Sequence, residues 1–156
     1  MSAPSPRDWF HRLATDYVAA QAIFHLNQAG VFAQLEAGPA SASELSRRLR
    51  LQPGILAGLL DYLVGVEDLL RRRPRGRYAL SRFGRAVLAR FGGAERGRFN
   101  LFDVRVGAYG PVWSNLGELL AGRARYGKEV RRDGRLNTMK HLAVLRAAVL
   151  TGRAAL

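Results

Sequence analysis

"SASELSRRLRLQPGILAGLLDYLVGVEDLLRRRPRGRYALSRFG" (residues 41–84) carries its local signals in one telling order. Ser41 and Glu44 have the spacing of a capping box, in which each side chain satisfies a backbone N–H that the first helical turn leaves without a partner. A short helix is predicted from there to near Arg50. Gln52-Pro53 starts another, because a proline at the first helical position forfeits no hydrogen bond. Leu56, Leu59, Leu60 and Leu63 then recur at helical spacing and face inward, and Gly65 ends the run. The tight "LRLQPG" (49–54) between them gives helix-turn-helix form. "LLRRR" (69–73), "PRG" (74–76) and "RYAL" (77–80) read as strand, turn and strand, with Pro74 and Gly76 at the bend. Ser81 caps a further helix, "RFGRAVLARF" (82–91). Helix-turn-helix, hairpin and helix in this order describe a winged helix.

Upstream, Ser5, Pro6 and Asp8 supply an N-cap, a first-turn proline and a first-turn acid. Phe10, Leu13, Tyr17, Ala20 and Phe24 then repeat at spacings of three and four, and Trp9, Val18, Ile23 and Leu26 widen the stripe. Such broad apolar coverage exceeds what one face of a surface helix needs. It predicts a helix over 6–28 buried on two sides, the second against another subunit. "VFAQLEAG" (31–38) makes a short helix closed by Gly38 and Pro39.

Downstream, "GGAERG" (92–97) is glycine-rich and charged, as linkers are. The expected organisation is a winged-helix domain over 1–91, a linker over 92–97 and a helical extension over 98–156. In the extension, "FNLFDVRVGAYG" and "PVWSNLGELLAG" read as helices, 123–134 as a basic loop, and 137–150 as a last helix. The fold class is mainly α: a winged-helix-like domain with a small β-hairpin wing and extra dimerisation helices.

The 156 residues carry a net charge of +13, and 23 of the 25 cations are arginine. Residues 1–70 hold −2, residues 71–98 hold +9 and residues 99–156 hold +6. Five of those arginines lie between Arg71 and Arg77. There is no cysteine, which rules out disulfides and thiolate metal sites and fits a reducing compartment. "MSAPSPRDWF" lacks the pattern of a signal peptide. No apolar run reaches the ~18 residues of a membrane span. A cytoplasmic protein is expected.

A winged helix with this charge invites a DNA-binding reading. The second helix of the motif normally supplies the side chains that read base edges. Here it is "PGILAGLLDYL", whose outward positions Gly54, Ala57, Gly58 and Asp61 include no cation and no amide. Arg47, Arg48, Arg50 and the wing could touch phosphates, which position a protein without reading sequence. Sequence-specific DNA binding is therefore not expected.

Taken together, the stretch resembles the N-terminal dimerisation domain of the SAM-dependent O-methyltransferases of natural-product biosynthesis. The matches are Gly30-Val31-Phe32 with Leu35, Gly38-Pro39, Ser43-Glu44-Leu45, Leu59, Leu60 and Leu63, and Tyr78-Ala79-Leu80-Ser81 with Gly84 and Leu88. "PVWSNLGELLAG" and "YGKEV" (126–130) continue the resemblance beyond the winged helix. It departs from the family around Ile55, in "LVGVEDLL" (63–70), and at Ala121-Gly122.

The resemblance implies a homodimer, with Trp9, Phe10, Leu13, Tyr17, Phe24 and Trp113 at the contact. It implies that Phe102, Tyr109 and Trp113 help to line an acceptor-substrate pocket. It also implies SAM as the cofactor of the full-length enzyme. The glycine-rich loop that lets backbone approach that cofactor is absent up to Leu156, as is the sheet domain that holds the general base. No catalytic, cofactor-binding or metal residue is therefore assigned, and the chain is expected not to transfer a methyl group alone. Two other readings are a winged-helix transcriptional regulator and a docking module that uses the Arg71–Arg77 hairpin against an acidic partner. His11, His25 and His141 lack metal-ligand spacing, and the Asp8–His11 pair has no third group to complete a site.

Overall fold

In the computed structural model, residues 5–91 and 102–134 are described. The chain divides into two compact units, Met1–Arg96 and Gly97–Leu156. The expected linker over 92–97 and the last helix over 137–150 lie outside the described residues.

In the first unit, Ser5 caps α1 (Pro6–Gln28): its Oγ accepts the Asp8 N–H at 3.2 Å and donates to the Asp8 carboxylate at 2.7 Å. The chain turns at Gly30, whose φ of +79° is open to glycine at little cost, and enters α2 (Val31–Ala37). A two-residue strand, β1 (Ala40–Ser41), leads directly into α3 (Ala42–Leu49). The capping box forms as the sequence predicts: the Ser41 Oγ accepts the Glu44 N–H, and the Glu44 carboxylate accepts the Ser41 N–H at 2.7 Å. α4 (Pro53–Val66) follows and runs one residue past Gly65.

The hairpin consists of β2 (Leu70–Arg73) and β3 (Arg77–Leu80), paired antiparallel with Arg72 opposite Tyr78 and Arg73 opposite Arg77. β1 adds to the other side of β3, with Ala40 opposite Tyr78. The sheet therefore has three strands in the order β1-β3-β2, one more than the hairpin alone. α5 (Arg82–Phe91) closes the unit. This mainly helical arrangement with a small antiparallel sheet is consistent with a winged helix.

The core is built where these elements meet. Val31, Phe32, Leu35, Leu45, Leu60 and Leu63 lose essentially all contact with solvent, joined by Leu26, Leu56, Leu69, Leu70, Tyr78 and Leu80. Each such side chain stabilises the fold by about 1.5–3 kcal/mol relative to exposure. α1 is tied to α4 by the Tyr62 hydroxyl, which donates to the Thr15 carbonyl at 3.0 Å.

In the second unit, Asp103–Ala108 form a π-helix, in place of the α-helix predicted over this stretch. The predicted single helix over "PVWSNLGELLAG" is two short ones, α6 (Gly110–Ser114) and α7 (Leu116–Leu120). They are broken at Asn115, whose φ of −110° and ψ of 15° fall outside helical values. Its side-chain amide donates to the Pro111 carbonyl at 2.7 Å, the sort of local bond by which asparagine competes with a helix ladder. Residues 123–134 are irregular, with one bridge between Tyr126 and Val130.

Candidate functional site

α1 has two apolar faces that do different things. Only Ala19, Ala22 and Leu26 on it are buried. The predicted stripe points elsewhere: at about 3.6 residues per turn, the direction shared by Trp9, Phe10, Leu13, Tyr17 and Phe24 lies roughly 160° from that of the buried residues. Accordingly Trp9, Phe10, Leu13 and Tyr17 are 45%, 67%, 53% and 58% exposed. Phe24 is half-buried, with its ring edge against His25. Val18 is exposed as well. Soluble monomers seldom show so many large apolar groups in one row, and such rows mark surfaces that another body covers.

The alanines explain the geometry. Their small side chains let the second half of α1 lie close to the core, while the aromatics need room and face away. Trp9 and Phe10 stack edge to face at 4.9 Å. An open dish beside the first turns is lined by Arg7, Asp8, Phe10 and His11, all from one helix. It brings Asp8 and His11 no third group.

In the second unit, Tyr109 is half-buried and Trp113 is exposed, their rings 6.1 Å apart and tilted. The Trp113 indole N–H donates to the Arg105 carbonyl at 2.9 Å, satisfying an acceptor that the wide π-turn would otherwise leave open. Phe102 is half-buried at the start of the π-helix. Sequence reasoning missed Leu116 and Leu120, exposed three and seven residues after Trp113. Their helical spacing from Trp113 is the sequence signal that could have found them.

The wing arginines separate into two groups. Arg72 pairs with the Asp61 carboxylate of α4 and lies over the Tyr78 ring at 5.4 Å. The Tyr78 hydroxyl donates to the same carboxylate. Burial, then that hydrogen bond, holds the Tyr78 phenol above its ordinary pKa. Arg77 reaches Glu44 at 3.4 Å. Glu44 is held below the usual carboxylate range, first by the Ser41 backbone N–H and more weakly by Arg77. Arg71, Arg73 and Arg75 are exposed and engage no described carboxylate.

Ser81 and Gly84 join the wing to α5. The buried Ser81 hydroxyl donates to the Asp68 carbonyl and accepts the Gly84 N–H at 2.8 Å, while its own N–H reaches the Leu69 carbonyl at 3.0 Å. A Cβ on Gly84 would lie 2.2 Å from that Leu69 oxygen. The "YALSRFG" pattern is thus a packing requirement: serine fixes three backbone groups and glycine leaves room for a carbonyl.

The outward positions of α4 are Gly54, Ile55, Gly58 and Asp61, with Ala57 half-buried. They offer nothing to read a base edge, and Asp61 is already occupied by Arg72 and Tyr78. Among the described residues no cluster of His, Asp and Glu could hold a metal, and no helix is long and apolar enough to cross a membrane.

Comparison with known proteins adds a family. The family described as O-methyltransferase dimerisation domain matches residues 11–90. None of the curated proteins matches. Among solved structures, PigF with SAH superposes with a TM-score of 0.66 at 21% identity, covering 96% of this chain and 47% of that one. CalO1, a methyltransferase in calicheamicin biosynthesis solved with SAH, gives 0.60 at 17%, covering 95% and 46%. N,N-8-amino-8-demethyl-D-riboflavin dimethyltransferase from Streptomyces davawensis gives 0.54 at 21%, covering 94% and 45%. The chain spans less than half the length of each. At these identities the superpositions speak for the fold alone.

Proposed function

Because the chain belongs to the O-methyltransferase dimerisation-domain family, matched over residues 11–90, we propose that it is the dimer-forming, substrate-covering part of a SAM-dependent O-methyltransferase of natural-product biosynthesis. The observation that carries this reading is the row of exposed aromatics on α1, turned away from the core of its own unit. A second copy is the occupant that the family implies. Trp9, Phe10, Leu13, Tyr17 and Phe24 form one part of the contact, and Trp113 contributes from the second unit. Residues 1–91 act as the winged-helix domain, 92–97 as a linker and 98–156 as a helical extension. Phe102, Tyr109 and Trp113 are offered as acceptor-pocket residues on the strength of the resemblance.

SAM does not fit the described residues. Its usual seat is the crevice at the carboxyl ends of parallel strands, and the only sheet among the described residues is antiparallel with strands of two to four residues. Cofactor binding and methyl transfer are therefore assigned to a separate SAM-binding domain or chain, and no catalytic step to this one. The lack of cysteine supports a cytoplasmic setting.

Light scattering of the chain at tens of micromolar tests the reading. A dimer is expected. Phe10→Glu combined with Tyr17→Glu should give a monomer whose core still unfolds cooperatively, since both side chains lie outside it. A wild-type monomer at that concentration would overturn the proposal.

A further inference from the structure

The wing carries a charge arrangement that its own fold leaves unbalanced. Side chains alternate across a strand, so Arg71 and Arg73 share one face of β2 while Arg72 turns to Asp61 on the other. Arg73 lies directly opposite Arg77 in the register, and like charges so placed are destabilising. Arg75, in the turn, is exposed as well. Among the described residues one carboxylate, Glu44, serves this face, and it is already engaged by the Ser41 N–H. Even so, the Arg77 Nε is buried with no hydrogen-bond partner.

The same strand is an open edge. β2 pairs with β3 on one side, and no described strand lies on the other. In an antiparallel ladder alternate residues turn their N–H and C=O away from the partner strand. Arg71, Arg72 and Arg73 are exposed. Charged side chains on an edge discourage indiscriminate pairing, yet they repel only an incoming strand of the same sign. An edge with cations at every second position therefore selects a strand with anions at every second position.

We propose that the outer edge of β2 takes up an extended acidic segment of a protein partner, with Asp or Glu at alternate positions facing Arg71 and Arg73. Backbone hydrogen bonds would supply the affinity and the alternating carboxylates the specificity, as in other strand-addition complexes. The four-residue edge, roughly 13 Å long at about 3.4 Å per residue, matches a short segment. Asp61, Glu67 and Asp68 lie on or just after α4, so a duplex seated on that helix in winged-helix fashion would meet acids where phosphates need cations. This favours a peptide over nucleic acid. The surface does not involve α1, so it stands or falls independently of the dimer reading.

The test is fluorescence anisotropy on the full chain at moderate salt. The probes are a labelled peptide of alternating Glu and Thr, a composition-matched peptide with its glutamates in one block, and random duplex DNA. The alternating peptide should bind tightest. Arg71→Glu with Arg73→Glu should weaken it about tenfold, as two attractive cross-strand pairs become repulsive. Arg82→Glu with Arg85→Glu removes the same charge from α5 and should change affinity less than about twofold. Circular dichroism of each variant checks folding, and Arg71→Ala with Arg73→Ala repeats the test without charge reversal. Absent binding, binding of the block peptide or DNA as tight as that of the alternating peptide, or equal loss in both pairs of reversals would overturn the proposal.

Discussion

Gly84→Ala and Gly58→Ala are the same chemical change in two helices and should move stability in opposite directions. At Gly84 the added methyl would sit 2.2 Å from the Leu69 carbonyl oxygen, 3.1 Å from its carbon and 3.4 Å from its Cα. All three atoms are backbone, so no side chain can swing aside, and about 1 Å of separation must come from moving α5 against the start of β2. Overpacking of this kind costs about 1–3 kcal/mol. The Leu69 oxygen also accepts the Ser81 N–H, and disturbing that bond adds about 1 kcal/mol. The gain from replacing a helical glycine is at most about 1 kcal/mol. The balance is a loss of about 1–3 kcal/mol, or roughly 5–20 °C in Tm for a unit of this size. Gly58, within α4, has open space where a Cβ would sit, with nothing within 4 Å. There the helix term stands alone, and alanine should raise Tm by about 4–8 °C. Thermal unfolding followed by circular dichroism at one fixed protein concentration measures both, since self-association makes Tm concentration-dependent. A Gly84→Ala variant that melts at or above the wild type would refute the close approach, as would matched shifts in the two variants.

Other perturbations follow from the same contacts. Ser81→Ala removes a helix cap and leaves the Asp68 carbonyl without its donor, so chemical denaturation should show a loss of about 2 kcal/mol; an unchanged midpoint would count against the three-way junction. Arg75 has a φ of +60°, a conformation that costs an L-residue about 1–2 kcal/mol, so Arg75→Gly should raise the denaturation midpoint despite removing a cation. Glu44 has a folded pKa below its unfolded value of 4.5. Its contribution is therefore present above that value and lost as pH falls through the folded pKa; Glu44→Gln should flatten the acid limb of a Tm–pH profile. Tyr78 is shifted up from 10.0, so its contribution is complete below pH 10 and disappears as pH rises toward the folded pKa; Tyr78→Phe should remove that part of the alkaline destabilisation.

Much of the first unit was legible because its signals are local. A capping box, a first-turn proline and a strand–turn–strand pattern each depend on residues within a few positions, and all formed where the sequence placed them. β1 was not legible, since Ala40 and Ser41 are too few to show alternation and pair with Tyr78 and Arg77, 38 and 36 positions further along. The break at Asn115 carries no proline or glycine to announce it. The π-helix escaped because one extra residue in a turn hardly alters an apolar pattern of threes and fours. Periodicity found the aromatic row on α1 but could not say which side meets the core, because this helix is apolar almost all round. The deciding residues, Ala19 and Ala22, are the ones that hydrophobicity weighs least. In the wing, the charge pattern allows the arginines to pair with Asp61, Glu67 or Asp68, and Asp61 does take Arg72; the pairing of Arg77 with Glu44, 33 residues away, has no local signal.

The uneven burial of α1 makes it two helices thermodynamically. From Ala19 to Leu26 its amides are locked into the core and should exchange with solvent only when the whole unit opens. Before Thr15, whose carbonyl accepts the Tyr62 hydroxyl of α4, every residue from Ser5 to Ala14 is exposed. A helical segment so short is marginal in water. In an isolated copy hydrogen exchange should therefore step down sharply at that point, and protection of the amides around Phe10 and Leu13 should grow with protein concentration. One continuous helix would thus report two equilibria at once: folding from its second half, and encounter from its first.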